Sequence, residues 1–289
     1  MKKLKKHFLL KNDIKKSFFC FVHIEKTAGT TLHNVFHRCI PGYVVPMPNK
    51  DLSSPWVPAY IRLLKRFRVF PLNGLGGHRI AAFAGYESEA ESPIFYFTIL
   101  REPIARYISH LNWLNYGVGK NISIDEFIDD PKFNNRQTIR IAGSEDIVAA
   151  KKLMEEKFML VGILEKFDEC MVLLNKMWGN DQLDLRYERT KVHQHQPGTV
   201  RYEDLSQEVK TKIVTNNALD IELYKFLNEE LYPRYLAPYK GDLAADVDRF
   251  RESNKGYRQP KSDKLKRFIS TWILKKVIQP AIARASKKI

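Results

Sequence analysis

Three short apolar runs, each followed by a helical pattern, constrain the fold of this 289-residue chain most strongly. They are FFCFVHI at 18–24, IFYFTIL at 94–100 and FMLVGIL at 158–164. An uninterrupted apolar run of this length is typical of a strand buried on both faces, as in a parallel sheet. The repeated strand-then-helix units predict an α/β fold with a parallel sheet and helices on both of its faces.

The net charge of +15 is concentrated at the two ends of the chain. Residues 1–16 hold seven Lys against one Asp, and residues 249–289 hold thirteen Lys and Arg against two acidic residues. The body between them is nearly neutral, which argues against nucleic-acid binding, since that requires basic residues across a folded face. We predict a basic N-terminal segment (1–16), one domain (17–240) and a basic, partly amphipathic tail (241–289).

Targeting signals and cysteines predict a cytoplasmic protein. The first sixteen residues are too charged for a secretory signal, and no window holds about 18 consecutive apolar residues. Cys20, Cys39 and Cys170 are widely spaced, which favours reduced core thiols over disulfides or a metal site. The amphipathic pattern at 263–286 could hold the protein on the inner, anionic membrane face, and a solvated or docked terminal helix fits it equally well.

The segment HIEKTAGTT, residues 23–31, joins the first strand to its helix. It contains the residues of a phosphate-binding loop, but Lys26 precedes Gly29, so the order differs from G-x-x-x-x-G-K-[ST]. Backbone N–H groups at a helix N-terminus, the charge of Lys26 and the hydroxyls of Thr30 and Thr31 would suit an anion. A plain helix N-cap is an equally good interpretation of this loop alone.

A second strand-to-helix junction, LREPIARYISH, favours the anion site. Arg101 ends a buried strand and can clamp a phosphate with two hydrogen bonds, and Ser109 lies about two turns into the following helix. Ligands of open α/β sheets bind at the carboxyl ends of the strands, where both junctions must lie. Two anion contacts at one sheet edge predict a ligand with two separated phosphate-like groups.

Together the two junctions resemble a known enzyme family. FVHIEKTAGTTL and FTILREPIARYISH are similar to the paired cofactor motifs of carbohydrate sulfotransferases related to the heparan sulfate 2-O- and 6-O-sulfotransferases and their bacterial relatives. The resemblance continues through FNNRQTIRIAG, FMLVGILEKFDECMVLL and NNALDIELYKFL, and spans roughly residues 18–232. It implies a P-loop-like sulfotransferase fold and metal-free transfer from 3′-phosphoadenosine-5′-phosphosulfate (PAPS) to a glycan or glycolipid hydroxyl.

The same resemblance assigns the site residues. Lys26 would contact the 5′-phosphosulfate, and Arg101 and Ser109 would bind the 3′-phosphate. The loop residues that would form the cradle are Thr27, Ala28, Gly29, Thr30 and Thr31. Relatives use a histidine between the two motifs as the base, and His78 is the only histidine between residues 38 and 109. The alternative for His78 is a structural role at the end of a strand.

Two positions depart from the family pattern. Relatives usually have proline where Glu25 stands, and a carboxylate beside an anion must turn away or pair with a base. Relatives often have Asp at the position of Glu102, a milder change.

Two other functions are kept as alternatives. A P-loop phosphotransferase would need the lysine after the glycine, a Ser or Thr for Mg²⁺ and an acidic strand end. A non-enzymatic peripheral membrane or polyanion-binding protein would rely on the basic tail. The regions 40–77 and 110–135, where an acceptor groove would form, show the least resemblance, so the acceptor and its hydroxyl position are not specified.

Overall fold

The computed structural model describes residues 17–46, 61, 72–90, 93–179, 181–188, 198–260, 263, 272, 276 and 280. The basic N-terminal segment and most of the amphipathic pattern at 263–286 lie outside the described residues, as does most of the 40–77 region. Within the described residues, no helix has both the length and the apolar character needed to span a membrane.

Five parallel strands form a single sheet in the part of the chain that is described. They are β1 (Phe18–Val22), β2 (Tyr43–Val44), β3 (Gly74–Gly77), β4 (Ile94–Leu100) and β5 (Phe158–Ile163), in the order β2-β3-β1-β4-β5. The three apolar runs are therefore confirmed as β1, β4 and β5, and the α/β class with a parallel sheet is confirmed with them. The P-loop-like identity of the fold stays a prediction.

The strands β2 and β3 fall in the Pro- and Gly-rich region 40–77, whose sequence has no apolar run like those of β1, β4 and β5. β3 reads GLGG, and the Tyr43 side chain explains two of its three glycines, Gly74 and Gly76, whereas Gly77 has a positive φ of 145°. A Cβ on Gly76 would lie 1.7 Å from the Tyr43 hydroxyl, and one on Gly74 would lie 3.1 Å from the Tyr43 ring. Gly74 and Gly76 leave the space in which the Tyr43 side chain of β2 lies against β3.

Eleven α-helices lie in the described ranges. Their bounds are α1 (Gly29–Cys39), α2 (Glu87–Ala90), α3 (Pro103–Asn112), α4 (Ile124–Asp129), α5 (Arg136–Ala142), α6 (Ile147–Glu156), α7 (Phe167–Leu174), α8 (Gln207–Asn216), α9 (Ala218–Phe226), α10 (Tyr232–Leu236) and α11 (Leu243–Asn254). Short π-helical turns, Trp113–Gly117 and Asn175–Gly179, extend α3 and α7, and a third, Leu227–Leu231, joins α9 to α10.

The core covers both faces of the central strands. Successive side chains on a strand point to opposite faces. On one face Phe19 packs against Phe36 of α1 and against Trp178, with ring centroids 4.8 and 4.6 Å away. On the other face Tyr96 of β4 lies 6.5 Å from Tyr86. Cys20 and Cys170 are buried and unpaired, as expected for core thiols.

The centre of the sheet brings the two candidate motifs together. β1 lies between β3 and β4, so the chain leaves β1 and β4 at neighbouring carboxyl ends. The buried Thr98 hydroxyl of β4 donates a hydrogen bond of 2.8 Å to the carbonyl of Val22 at the end of β1. This edge is where open α/β sheets bind ligands.

The first part of the segment predicted to be a tail packs on the domain. Val247 of α11 is buried, Asn254 accepts a hydrogen bond from the Tyr187 N–H at 2.9 Å, and Arg251 contacts Asp168 of α7 at 3.2 Å. The division at residue 240 stays a prediction, but the helix that follows it is docked.

Candidate functional site

The loop between β1 and α1 has a backbone suited to an anion. The φ angles of Lys26 and Ala28 are 70° and 62°, whereas Thr27 and Gly29 have negative φ. Alternation of this kind turns successive N–H groups toward one side and forms an anion-binding concavity. The N-terminal N–H groups of α1 and its dipole add to the same potential.

The loop side chains are fixed from within. Thr27 is fully buried and its hydroxyl donates to the Ile24 carbonyl at 3.0 Å, so it can contribute to a cradle only through its backbone. A Cβ on Gly29 would lie 1.7 Å from the Nε2 atom of His23. In the structure Gly29, which the family resemblance assigns to the cradle, makes room for this imidazole.

His23 is the first member of a buried chain of polar rings. Its Nδ1 lies 3.1 Å from Nε2 of His33, and Nδ1 of His33 lies 2.9 Å from the Tyr43 hydroxyl. Burial, followed by the neighbouring His78, His33 and Arg140, lowers the pKa of His23 well below its usual value. These rings anchor the loop to α1 and β2, a role that the sequence did not reveal for His33.

The junction after β4 is held by a glutamine from α5. The side chain of Gln137 accepts a hydrogen bond from the Arg101 N–H and donates one to the Arg101 carbonyl, each 2.9 Å long. The Arg101 guanidinium donates to the Lys26 carbonyl at 3.3 Å. The two motifs are therefore in direct contact, as the sequence predicted.

Glu102 caps α3, so its negative charge is directed at backbone N–H groups of that helix. Its carboxylate oxygens accept hydrogen bonds from the N–H groups of Ile104 and Ala105, at 3.1 and 2.6 Å. An acidic cap is favourable at a helix N-terminus. The longer side chain thus performs a capping role that an Asp at this position could also perform.

A cavity of about 710 Å³ opens beside the two junctions. Three of the predicted ligand contacts, Lys26, Arg101 and Ser109, line it together. The Lys26 ammonium lies 5.7 Å from the ring centroid of Trp113, which also lines the wall. The volume lies within the range of small-molecule and cofactor sites, and the cations suit a phosphorylated ligand.

The opposite wall was not predicted. It is formed by residues 199–203, and Arg201 adds a cation to the cavity. The Asn112 side chain holds this segment to α3, since it donates to the Val200 carbonyl and accepts from the Val200 N–H, each at 2.9 Å. Ser109, Asn112 and Tyr116 recur at helical spacing, which could have indicated a common face. Residues 189–197, just before this wall, lie outside the described residues.

His78 is not among the residues that line this cavity, but it contacts the loop through His23 and Glu25. It is half-exposed, and its ring stacks on that of His23 with centroids 4.0 Å apart. Its Nδ1 lies 3.1 Å from the carbonyl of His23. A carbonyl can only accept, so Nδ1 carries the proton and Nε2 of the neutral ring has a lone pair. Burial is the largest influence and lowers the pKa of His78, which favours this neutral form at pH 7.

Glu25 pairs with bases, as its position beside an anion requires. Its Oε1 lies 3.1 Å from the Arg136 guanidinium and 3.6 Å from Nδ1 of His78. Burial raises the pKa of Glu25, but His78 in its protonated form, together with Arg136 and Arg140, outweighs burial and lowers the pKa of Glu25 to about 2. Glu25 is therefore ionised near neutrality and its charge is balanced inside the protein.

Comparisons with known proteins point in the same direction. A family model described as galactose-3-O-sulfotransferase matches residues 140–280, a little under half of the chain. Galactose-3-O-sulfotransferase 3 of Mus musculus is 24% identical over 81% of this chain and 60% of its own length. The Bos taurus protein of the same name is 23% identical over 81% of this chain and 61% of its own length. Galactose-3-O-sulfotransferase 2 of Mus musculus is 25% identical over 80% of this chain and 66% of its own length.

The chain thus spans about 60% of the length of the first two of these curated relatives. The similarities support the broad prediction of a carbohydrate sulfotransferase, a class whose sulfuryl donor is PAPS. The heparan sulfate type that the sequence suggested is not the type named by these matches.

Proposed function

We propose that this protein is a sulfotransferase that moves the sulfuryl group of PAPS to a hydroxyl of a glycan. The observation that carries the proposal is the cavity in which Lys26, Arg101 and Ser109 meet beside the loop. The family resemblance of the two sequence motifs assigns these same three residues to the two phosphate groups of the donor. A nest of N–H groups next to one lysine, with an arginine and a serine further along, matches a ligand that has anions at two ends.

In this proposal Lys26 and the loop N–H groups bind the 5′-phosphosulfate and stabilise the charge that grows on the departing phosphate. Arg101 and Ser109 bind the 3′-phosphate and orient the nucleotide. Positioning and electrostatics carry catalysis in phosphoryl transfer, and the same logic extends to a sulfuryl group by analogy.

His78 acts as the base. Its Nε2 takes the proton of the acceptor hydroxyl while that oxygen forms a bond to sulfur. The bond between sulfur and the phosphate oxygen breaks, and its electron pair stays on the phosphate. The products are a sulfated glycan, adenosine 3′,5′-bisphosphate and a proton that His78 passes to solvent. The lone pair on Nε2 and the half-exposed ring support this role.

A galactose hydroxyl is the acceptor that we propose to test first, because the curated relatives are named for galactose. The experiment is incubation of the full chain with ³⁵S-labelled PAPS and lactose, with separation of labelled sugar and measurement of adenosine 3′,5′-bisphosphate. We expect both products in equal amounts, and Lys26→Ala should reduce them by about 10²–10³-fold, as loss of a charge-stabilising group does elsewhere. Glu222→Gln serves as the control, because Glu222 is an exposed residue that pairs with Lys151 and does not line the cavity.

The phosphotransferase alternative is tested in the same assay. Sulfuryl transfer from PAPS to lactose should persist in EDTA. When ATP and Mg²⁺ replace PAPS, no phosphorylated sugar should form. Phosphorylation from ATP, with no transfer from PAPS to lactose or to a panel of other glycans, would overturn the proposal.

A further inference from the structure

Glu25 is the site residue that the family resemblance leaves unexplained, and the structure places it between a base and a cation. One carboxylate oxygen, Oε1, is 3.6 Å from Nδ1 of His78 and 3.1 Å from Arg136. The carboxylate is 19% exposed and its other oxygen, Oε2, is buried with no hydrogen-bond partner among the described residues. A carboxylate beside the protonated nitrogen of an imidazole is the arrangement that orients a catalytic histidine.

We propose that Glu25 is a positioning residue for His78, and that Arg136 fixes Glu25 in that role. The inference rests on the proposed function, because it concerns the proton that leaves the acceptor. The His23 carbonyl accepts the hydrogen bond that makes Nδ1 the donor, and the nearby charge of Glu25 favours the same tautomer, which leaves Nε2 as the atom that takes the proton. When Nε2 is protonated the ring becomes positive, and the carboxylate stabilises it without taking the proton.

The other charged side chains around His78 oppose its protonation. His23 stacks beneath the ring, and Arg136 and Arg140 approach from α5, with Arg79 next along the chain. Among these side chains Glu25 is the one that favours the imidazolium, whereas burial, Arg140 and Arg136 oppose it. Without Glu25, proton transfer would create a cation near Arg136 and Arg140 with no carboxylate to offset their charges.

Arg136 has two opposite effects, which supply a sharp test. It holds the Glu25 carboxylate at 3.1 Å, and its own charge opposes protonation of His78. Glu25→Gln should therefore make His78 harder to protonate, and Arg136→Gln should make it easier. If the two substitutions only loosened the loop, the pKa of His78 would not shift in opposite directions in the two variants.

The first measurement is the titration of His78 by NMR, with ring-labelled histidine in the full chain and His78→Asn to assign the signal. In Glu25→Gln we expect the pKa of His78 to fall by about one pH unit, the low end of the effect of a nearby opposite charge. In Arg136→Gln it should rise. Glu25→Asp should restore most of the wild-type value, and Glu222→Gln should leave it unchanged.

The second measurement is transfer as a function of pH. In Glu25→Gln the acidic midpoint of the kcat/KM profile should shift to lower pH, together with the pKa of His78. The value of kcat should fall by about 3- to 10-fold because the base is weaker. Affinity for adenosine 3′,5′-bisphosphate should be kept or increased, since a negative charge is removed. An unchanged His78 titration in Glu25→Gln, or shifts of the same sign in both variants, would overturn the role of Glu25. Absence of transfer by the wild-type protein would instead overturn the proposed function, while the titration would still report the coupling of the two residues.

Discussion

His78 and Glu25 illustrate how much of a site is determined by single residues that lie far apart in the chain. Glu25 follows β1, His78 follows β3 and Arg136 begins α5, yet all three meet around one carboxylate. The base needs a lone pair at one nitrogen and a fixed proton at the other. Both conditions follow from one carbonyl and one carboxylate near Nδ1.

Replacement of the base should separate binding from chemistry. In His78→Ala we expect turnover to fall by about 10²–10⁴-fold, the usual contribution of a general base. Nucleotide affinity should stay at the wild-type value, because His78 does not line the cavity. Steady-state kinetics and calorimetry on the same preparation measure the two quantities. Turnover retained in the variant would remove His78 from the mechanism.

The pH dependence of transfer should follow the neutral form of His78. The pKa of His78 is lowered from its ordinary value of 6.5, with burial as the main cause. The base is therefore available throughout the neutral range, and activity should be lost as pH falls through the lowered pKa. A profile of kcat/KM against pH should show its acidic midpoint below 6.5. A midpoint above that value would contradict the assignment.

Among the helices, α5 and α9 cap each other and so position Arg101. Asp220 of α9 accepts hydrogen bonds from the N–H groups of Gln137 and Thr138 in the first turn of α5, at 3.0 and 2.8 Å. In return the Asn135 side chain accepts from Leu219 at the start of α9, at 3.1 Å. The next link is Gln137, which holds the backbone of Arg101. Within the stretches FNNRQTIRIAG and NNALDIELYKFL, it is Asn135, Gln137 and Asp220 that support the nucleotide site from behind.

Removal of Asp220 should weaken both the fold and the site. Asp220 is fully buried, 3.9 Å from the equally buried Arg106. Asp220→Ala would leave that guanidinium uncompensated, which costs about 3–5 kcal/mol of unfolding free energy when one partner of a buried pair is lost. Nucleotide affinity should fall too, because Gln137 would no longer be fixed. Urea unfolding and calorimetry provide the two values.

The control for this prediction is the exposed helix cap Asp242, which accepts from the Ala245 N–H at 3.0 Å. Asp242→Ala should cost only about 1 kcal/mol, the usual effect of losing an N-cap, and should not alter nucleotide binding. Equal losses of stability in the two variants would show that the reciprocal caps have no special role.

Over the chain as a whole, the sequence predicted local features well and long-range ones poorly. β1, β4 and β5 could be predicted because a buried parallel strand is a continuous apolar run. β3 could not, because Gly74 and Gly76 are explained by Tyr43, which lies about thirty residues earlier in the chain. The base partners of Glu25 and the cavity wall at 199–203 could not be predicted either, because they also depend on residues that lie far apart in the chain. Binding of an anionic membrane by the basic tail, cytoplasmic location and independence of metals stay predictions.

The nucleotide site is best tested by isothermal titration calorimetry with adenosine 3′,5′-bisphosphate on the wild-type chain and on Arg101→Ala. We expect binding by the wild type and about 10- to 100-fold weaker binding by the variant, the effect of losing a hydrogen bond to a charged group. Glu222→Gln should bind like the wild type. Equal affinity in the wild type and Arg101→Ala, or no binding by either, would contradict the assignment of this cavity to a 3′-phosphorylated nucleotide.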